Sequence, residues 1–247
     1  MKKTIKLFDT DFDTESAVNT EHAIIQGLAA LEVDTPAAVK RLAAYVALLQ
    51  RWNRVYNLTA VRDTEDVIVR HILDSLAILP WLRGPRVLDV GSGAGLPGIP
   101  LALVRPNIQF YLLDSNAKRT RFMQQAIIEL AIANATVLRS RVEDYRASVE
   151  FDSVVSRAFA TVPDMLRYAG HHCALGGRLL AMKGTYPDQE LERLPTEFRI
   201  MGVYPLTIPG LEAARHLIHL GRVSNVENAN NRIAPVEDNN SFSQIEF

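Results

Sequence analysis

The stretch that decides the fold is Val87-Leu-Asp-Val-Gly-Ser-Gly-Ala-Gly-Leu-Pro-Gly98, in which a short apolar run ends in a cluster of glycines. Glycine has no Cβ, so Gly91, Gly93 and Gly95 allow the backbone to turn sharply and to approach a ligand closely. A helix that begins after such a turn presents backbone N–H groups that have no partner within the helix. The pattern predicts a ligand-binding turn between a strand and a helix, with a purely structural turn as the alternative.

Further short apolar runs follow this stretch and alternate with segments long enough for crossover helices. The runs are residues 108–113, 136–138, 151–155 and 178–182, and the intervening segment 118–131 is helical in character. Alternating strands and helices imply a parallel sheet with helices on both faces. Two later runs, 199–206 and 216–223, are separated by Pro209-Gly210 and no helix, which predicts an antiparallel hairpin. The predicted class is α/β: a Rossmann-like sheet, mostly parallel, with an antiparallel edge strand.

A helical cap is predicted before the sheet. Thr35-Pro36 has the pattern of a helix start, a side-chain cap followed by a proline. Apolar residues then recur at spacings of three and four, and a second run of this kind covers 66–82. The first run consists of Leu42, Tyr45, Val46, Leu49, Trp52 and Tyr56. We therefore divide the chain into an N-terminal extension (1–34), the cap (35–84), the sheet domain (85–223) and a disordered acidic tail (224–247), with both ends peripheral.

Composition narrows the class of protein. The chain has 247 residues, of which 48% are hydrophobic and 22% charged, values that exclude a mostly disordered chain. A single cysteine, Cys173, excludes an intrachain disulfide and a cysteine-rich metal site. No stretch approaches the ~18 apolar residues of a membrane span. We expect a cytoplasmic protein without membrane contact, without a bound metal and monomeric.

Asp114 is the second element of the predicted site. It ends the second apolar run, 21 positions after Gly93. A carboxylate at this place can accept hydrogen bonds from both ribose hydroxyls of a nucleoside ligand. Asp114 could instead cap the helix that begins near Ser115, and that alternative stays open.

The ligand could be a dinucleotide or a different nucleoside. Residues 93–98 match G-x-G-x-x-G, the pattern of NAD-binding turns. Asp89, however, lies just before the turn and would place negative charge beside a pyrophosphate. The same charge favours a cofactor with a cationic amino-acid end. The chain also lacks a second large domain for a hydride acceptor, so S-adenosylmethionine is favoured over NAD.

At this point the chain resembles a known family. Residues 89–95 are similar to the first motif of class I S-adenosylmethionine-dependent methyltransferases, and the whole of 45–222 resembles the bacterial glucose-inhibited division protein B family. The matching stretches are Trp52-Asn-Arg-Val-Tyr-Asn-Leu-Thr59, Arg70-His-Ile-Leu-Asp-Ser75, Gly95-Leu-Pro-Gly-Ile-Pro100, Leu113-Asp-Ser115, Ser140-Arg-Val-Glu143, Ser156-Arg-Ala-Phe159 and Met182-Lys-Gly184. The resemblance implies methyl transfer to N7 of a guanine in 16S ribosomal RNA, as RNA or within the small subunit.

The resemblance also implies cofactor-binding positions, namely Gly91, Leu96, Val142, Glu143 and Arg157. Val142 and Glu143 would line the adenine, with surface charge as the alternative role of Glu143. Arg157 would grip the methionine carboxylate or orient the guanine, unless it forms a buried structural ion pair.

Candidate substrate contacts are basic residues. Lys183 ends the fifth run, and we hypothesise that it contacts guanine O6 or a phosphate; a solvated lysine is the alternative. Lys118, Arg119, Arg121 and Arg215 are candidates for phosphate contacts to RNA. Two other functions stay open: an NAD-dependent oxidoreductase, and a non-catalytic RNA- or ribosome-binding module that keeps the fold.

Overall fold

The computed structural model describes residues 14–157, 159, 161–192 and 194–223. Its centre is a seven-stranded sheet with the strand order β3-β2-β1-β4-β5-β7-β6. The strands are β1 (Arg86–Val90), β2 (Gln109–Asp114), β3 (Ala135–Arg139), β4 (Phe151–Ser156), β5 (Cys173–Lys183), β6 (Phe198–Pro205) and β7 (His216–Arg222). The α/β prediction is confirmed.

The sheet is parallel from β3 to β5 and ends in the predicted hairpin. Strand β7 runs antiparallel to both β5 and β6 and lies between them. The strand order reverses between β1 and β4. From β1 the chain adds β2 and β3 toward one edge of the sheet, and it then returns to add β4 and β5 on the other side of β1. In open α/β sheets, ligands bind outside the carboxyl ends of the strands at such a switch point.

Helices cover both faces of the sheet, which explains why its central strands are apolar on both sides. The helices are α1 (Thr14–Ala30), α2 (Val39–Tyr56), α3 (Thr64–Val67), α4 (Asp74–Leu76), α5 (Gly98–Val104), α6 (Ala117–Glu129), α7 (Val162–Ala169) and α8 (Asp188–Leu191), with a π-helix (Ile68–Leu73) between α3 and α4. Val87 and Leu88 point to opposite faces, yet both are fully buried, in different apolar clusters. None of the helices in these ranges is both long and apolar enough to cross a membrane.

The predicted cap is present as α2 and the run from α3 to α4. Leu42, Tyr45, Val46 and Leu49 are all buried, and the ring of Trp52 lies edge-on to Phe122 of α6 at 5.6 Å. The predicted capping role of Thr35 is wrong. A 3-10 turn, Pro36–Ala38, precedes α2, and the Thr35 hydroxyl makes no capping hydrogen bond.

The N-terminal segment is less peripheral than predicted. Ile24 and Leu28 of α1 are buried in the same apolar cluster as α2. Gly27 lies so close to the π-helix that a Cβ on it would be 2.5 Å from Leu73. Strand β5 is also longer than the predicted run 178–182. The predicted tail, 224–247, lies outside the described residues, and the domain boundaries stay predictions.

Candidate functional site

The glycine turn connects β1 to α5 at the switch point. Gly91, Gly93 and Gly95 have φ angles of 72°, 59° and 84°, in the left-handed region that favours glycine. A Cβ on Gly91 would meet nothing within 4 Å, whereas one on Gly95 would lie 2.3 Å from Ile99 Cδ1. Gly91 therefore leaves space open, and Gly95 allows the turn to pack against its own helix.

Asp114 ties this turn to the end of β2. Its Oδ2 accepts a hydrogen bond from the backbone N–H of Gly93 (2.9 Å), and its Oδ1 accepts one from Asn116 (2.8 Å). Asn116, not Asp114, caps α6, because its side chain accepts from the N–H groups of Lys118 and Arg119. An ionised carboxylate has about four acceptor positions, so Asp114 keeps capacity for a ligand.

A cavity of about 240 Å³ lies beside Asp114 at the carboxyl ends of β1, β2 and β3. We call it the cofactor cavity. Of the residues predicted to bind the cofactor, it is lined by Gly91, Asp114, Val142 and Glu143. Arg119, predicted to bind RNA, also lines it and holds its guanidinium 3.5 Å from Asp114 Oδ2. Leu96 is buried in the core beneath the turn instead.

Asp89 lies beside the first residue of α5, the end of a helix at which NAD-binding turns hold the pyrophosphate. Its carboxylate is fully buried and accepts a hydrogen bond from the backbone N–H of Gly98, the first residue of α5, at 2.9 Å. Burial raises the pKa of Asp89 to about 7. The N–H groups of Leu96 and Ile99 donate to Ser92 and Gly95. These backbone N–H groups at the start of α5 are therefore bonded within the protein. A pyrophosphate bound at a helix start needs such N–H groups to be free, so this turn does not suit a dinucleotide.

Arg157 and Arg215, predicted to serve different ligands, are brought together by Asp74. The Asp74 carboxylate is buried in the cap and lies 3.3 Å from Arg157 Nη1 and 3.0 Å from Arg215 Nε. Arg157 also donates to the backbone carbonyl of Arg70. One buried negative charge thus faces two guanidinium groups, each about one-fifth exposed.

Lys183 is the last residue of β5 and does not line the cofactor cavity. Its ammonium group is 3.0 Å from Glu190 Oε2, and its side chain is largely buried. Glu190 Oε2 also accepts a hydrogen bond from the backbone N–H of Val162. Lys118 and Arg121 are exposed on the first turns of α6.

Three residues connect the cap to the site and were given no part in the site by the sequence analysis: Tyr45, His71 and Asp74. The Tyr45 hydroxyl donates to the Ala94 carbonyl of the glycine turn at 2.5 Å. His71 lies against Thr59 Oγ1 at 2.8 Å and against the Arg70 carbonyl at 2.9 Å, and burial lowers its pKa to about 4. The only sequence signal for His71 and Asp74 was that both fall within the stretch 70–75.

A mostly parallel sheet with an antiparallel hairpin and a cavity at its switch point defines the class I methyltransferase fold. Solved structures share it. TrmN from Thermus thermophilus superposes with a TM-score of 0.53 at 18% identity, covering 70% of this chain and 53% of that one. The glycopeptide N-methyltransferase MtfA, solved with S-adenosyl-L-methionine, gives 0.55 at 10% identity over 62% and 88% of the two chains.

Sequence comparison then gives the particular family. The family described as GidB, rRNA small subunit methyltransferase G, matches residues 38–218. The ribosomal RNA small subunit methyltransferase G of Aromatoleum aromaticum is 53% identical over 80% of this chain and 96% of that protein. The protein of the same name from Nitrosococcus oceani is 50% identical over 81% and 94%. The chain belongs to this family.

Proposed function

We propose that the protein transfers a methyl group from S-adenosylmethionine to N7 of a guanine in 16S ribosomal RNA. The observation that carries this proposal is the cofactor cavity beside Asp114, in a chain that belongs to a family of ribosomal RNA methyltransferases. The satisfied donors at the start of α5 argue against the alternative of an NAD-dependent oxidoreductase. The intact turn and cavity argue against a module that has lost catalysis.

The residues around the cavity fit a nucleoside cofactor with a cationic end. Asp114 accepts hydrogen bonds from the ribose hydroxyls, each worth about 1.5–3 kcal/mol as a bond to a charged group. Val142 and Glu143 flank the adenine, and the open face of Gly91 leaves room for close approach. Gly93, Gly95 and Leu96 act by holding the turn in place.

The reaction makes few chemical demands on the protein. The cofactor supplies a methyl group bonded to a positively charged sulfur. Guanine N7 carries an accessible lone pair at neutral pH, so no strong general base is needed. The side chains must hold the guanine in line with the methyl group and exclude water, and this positioning is the main source of the rate enhancement.

Arg157 and Lys183 are the proposed positioning groups at the rim of the sheet. Arg157, at the carboxyl end of β4, orients the methionine carboxylate or the guanine while Asp74 holds its guanidinium. Lys183 contacts guanine O6 or a phosphate, exchanging its bond to Glu190 for one to the substrate.

The RNA is held by charge. Lys118, Arg119, Arg121 and Arg215 are the proposed phosphate contacts, and phosphate contacts supply the salt-dependent part of RNA affinity. Arg119 stands at the mouth of the cofactor cavity, so it can serve both ligands. We further propose that the protein acts as a monomer in the cytoplasm, with residues 35–84 as a cap on the domain 85–223.

The test is methyl transfer with a mapped product. The protein is incubated with tritiated S-adenosylmethionine and either naked 16S RNA or small subunits, and the labelled base is identified. Label on guanine N7 is expected, and comparing the two substrates shows which form of the RNA is used. Label on a pyrimidine or on an exocyclic amine would overturn the assignment.

Calorimetry tests the cofactor site separately. Asp114→Asn removes the charge from the ribose contact and should weaken cofactor binding at least tenfold, because about 1.4 kcal/mol corresponds to a factor of ten. Asp144→Asn, at an exposed position next to Glu143, is the matched control and should bind normally. If calorimetry detects binding of NADH but not of S-adenosylmethionine, the result would favour the oxidoreductase function over methyl transfer.

A further inference from the structure

A second cavity adjoins the cofactor cavity and is not used by the proposed reaction. It has a volume of about 400 Å³ and is lined by Glu143, Arg146, Arg167, Tyr168 and His171. Glu143 lines both cavities, so the two adjoin. From Glu143 the second cavity extends to Arg167 and His171, which directly precede the amino end of β5. We call it the arginine cavity.

The two arginines that line it are available to an anion. Arg146 is exposed, and its Nη1 donates to the backbone carbonyls of Glu143 and Tyr145, at 2.6 and 2.9 Å. These bonds hold Nη1 of the guanidinium, and its other donors make no hydrogen bond among the described residues. Arg167 is exposed in the last turn of α7. Within the described ranges, neither arginine lies within ion-pair distance of a carboxylate, whereas Arg119, Arg157 and Arg215 do.

Aromatic rings connect the two cavities and support Arg167. Phe159 lines the cofactor cavity, and its ring stacks on that of Tyr168 with centroids 6.4 Å apart and planes 29° apart. The guanidinium carbon of Arg167 lies 5.3 Å from the centroid of the Tyr168 ring, within the range of a cation–π interaction. The row from Phe159 to Arg167 therefore leads outward from the cofactor cavity and ends on a positive charge.

Two histidines beside Arg146 have lowered pKa values. The pKa of His171 is lowered by burial and by the charges of Arg146 and Arg222. Burial, together with His171 and Arg146, lowers the pKa of His172 to about 4. Glu143 is the one acidic residue among the lining residues, against two arginines.

We propose that the arginine cavity binds a backbone phosphate of the RNA substrate, with Arg146 and Arg167 as its ligands. Two guanidinium groups on one cavity match the geometry of a phosphate, which guanidinium binds through paired hydrogen bonds. The site rests on the proposed function, because it identifies a contact of the same substrate. It adds Arg146 and Arg167 to the proposed RNA contacts on α6 and at Arg215.

The test compares RNA binding and turnover in matched variants. Arg146→Gln and Arg167→Gln are made singly and together, and Arg105→Gln is the control. Arg105 follows α5, does not line the arginine cavity and also makes no ion pair among the described residues. Affinity for 16S RNA is measured by filter binding over a range of salt concentrations, together with KM, kcat and the calorimetric Kd of S-adenosylmethionine.

The double variant should raise the RNA Kd and KM about tenfold and reduce the salt slope by about one, while kcat and cofactor affinity stay unchanged. Arg146→Lys and Arg167→Lys should keep the salt slope, because they keep the charge. An RNA Kd and salt slope equal to those of Arg105→Gln would overturn the inference, as would an equal loss of cofactor affinity. Failure of the unmodified protein to methylate RNA at all would instead overturn the proposed function.

Discussion

At the scale of single residues, Asp74 is a buried carboxylate held between two arginines. A buried carboxylate is stable only when its charge is compensated, and here two arginines from distant parts of the chain compensate it. Since these arginines are the proposed contacts to cofactor and RNA, the residue that orients both lies in the cap. Asp74 thereby makes the cap a part of the site.

Asp74→Asn should cost about 3 kcal/mol of unfolding free energy, because it leaves two partly buried guanidinium groups facing an uncharged amide. The measurement is urea denaturation followed by circular dichroism. Asp66→Asn is the matched control: it breaks the exposed pair with Arg70 and should change stability by less than about 1 kcal/mol. Equal losses in the two variants would show that the Asp74 pairs contribute no more than surface charges.

Gly91→Ala and Gly95→Ala should differ in stability and in cofactor binding, although both glycines have a positive φ. Each alanine incurs the backbone strain of the left-handed region, about 1–2 kcal/mol. Only the Gly95 variant also drives a methyl group into Ile99, which adds roughly 1–3 kcal/mol. Denaturation should therefore find Gly95→Ala the less stable variant. Calorimetry should find that Gly91→Ala weakens cofactor binding, because Gly91 lines the cofactor cavity and its new methyl group would occupy space there that is open. The reverse order of stabilities would contradict the assigned roles.

At the scale of elements, the structure departs most from the sequence prediction in α1. Its buried face consists of Thr20, Ile24, Gly27 and Leu28, at the spacing of a helix stripe. Two of these four are not large apolar residues, so hydrophobic periodicity alone does not reveal the face. Strands β1, β2 and β4 are predictable because buried parallel strands are continuous apolar runs, whereas the edge strand β3 is only partly buried and its predicted run covers three residues.

In the site, too, residues linked by local spacing are predictable from the sequence, and residues brought together from distant segments are not. Gly91 and Asp114 are linked by local spacing, and sequence reasoning finds them. Asp74, Arg157 and Arg215 are far apart in the chain, and only the packing of the cap onto the sheet brings them together. A cluster built from three distant segments, such as this one, produces no regular spacing that could be recognised in a single sequence.

Ile24→Ala should destabilise the protein by about 2–5 kcal/mol if α1 belongs to the folded core, since it removes a fully buried side chain. Ile25→Ala, the next residue, is the matched control. Its side chain is half exposed, so its unfolding free energy should stay within about 0.5 kcal/mol of the unmodified protein. Thermal or chemical denaturation distinguishes the two. A small effect at both positions would indicate that α1 contributes little to stability.

At the scale of the whole molecule, buried titratable groups set the dependence of stability on pH. His71, His172 and His219 each have a pKa lowered from 6.5 to about 4, chiefly by burial. Between these values the unfolded chain binds more protons than the folded one, so stability falls as the pH is lowered through this window. Asp89 acts in the opposite direction, because burial raises its pKa to about 7.

With three histidines against one aspartate, the unfolding free energy should decrease as the pH falls from 6.5 to 4. His172→Phe keeps an aromatic ring beside Tyr145 and Phe151 and removes one titrating group. Its unfolding free energy should therefore vary less steeply over the same pH range. Denaturant titrations at several pH values measure both slopes, and identical slopes would exclude His172 as a contributor.

The position of β7 has a consequence for how the molecule is made. Strand β7, the last of the described strands, lies between β5 and β6, so β6 has no neighbour in the described sheet until residues 216–222 have been synthesised. Until then β5 is an open edge whose unpaired backbone groups can recruit strands from other chains. Nascent or prematurely terminated chains that stop before His216 should thus be the form most prone to aggregate and most dependent on chaperones.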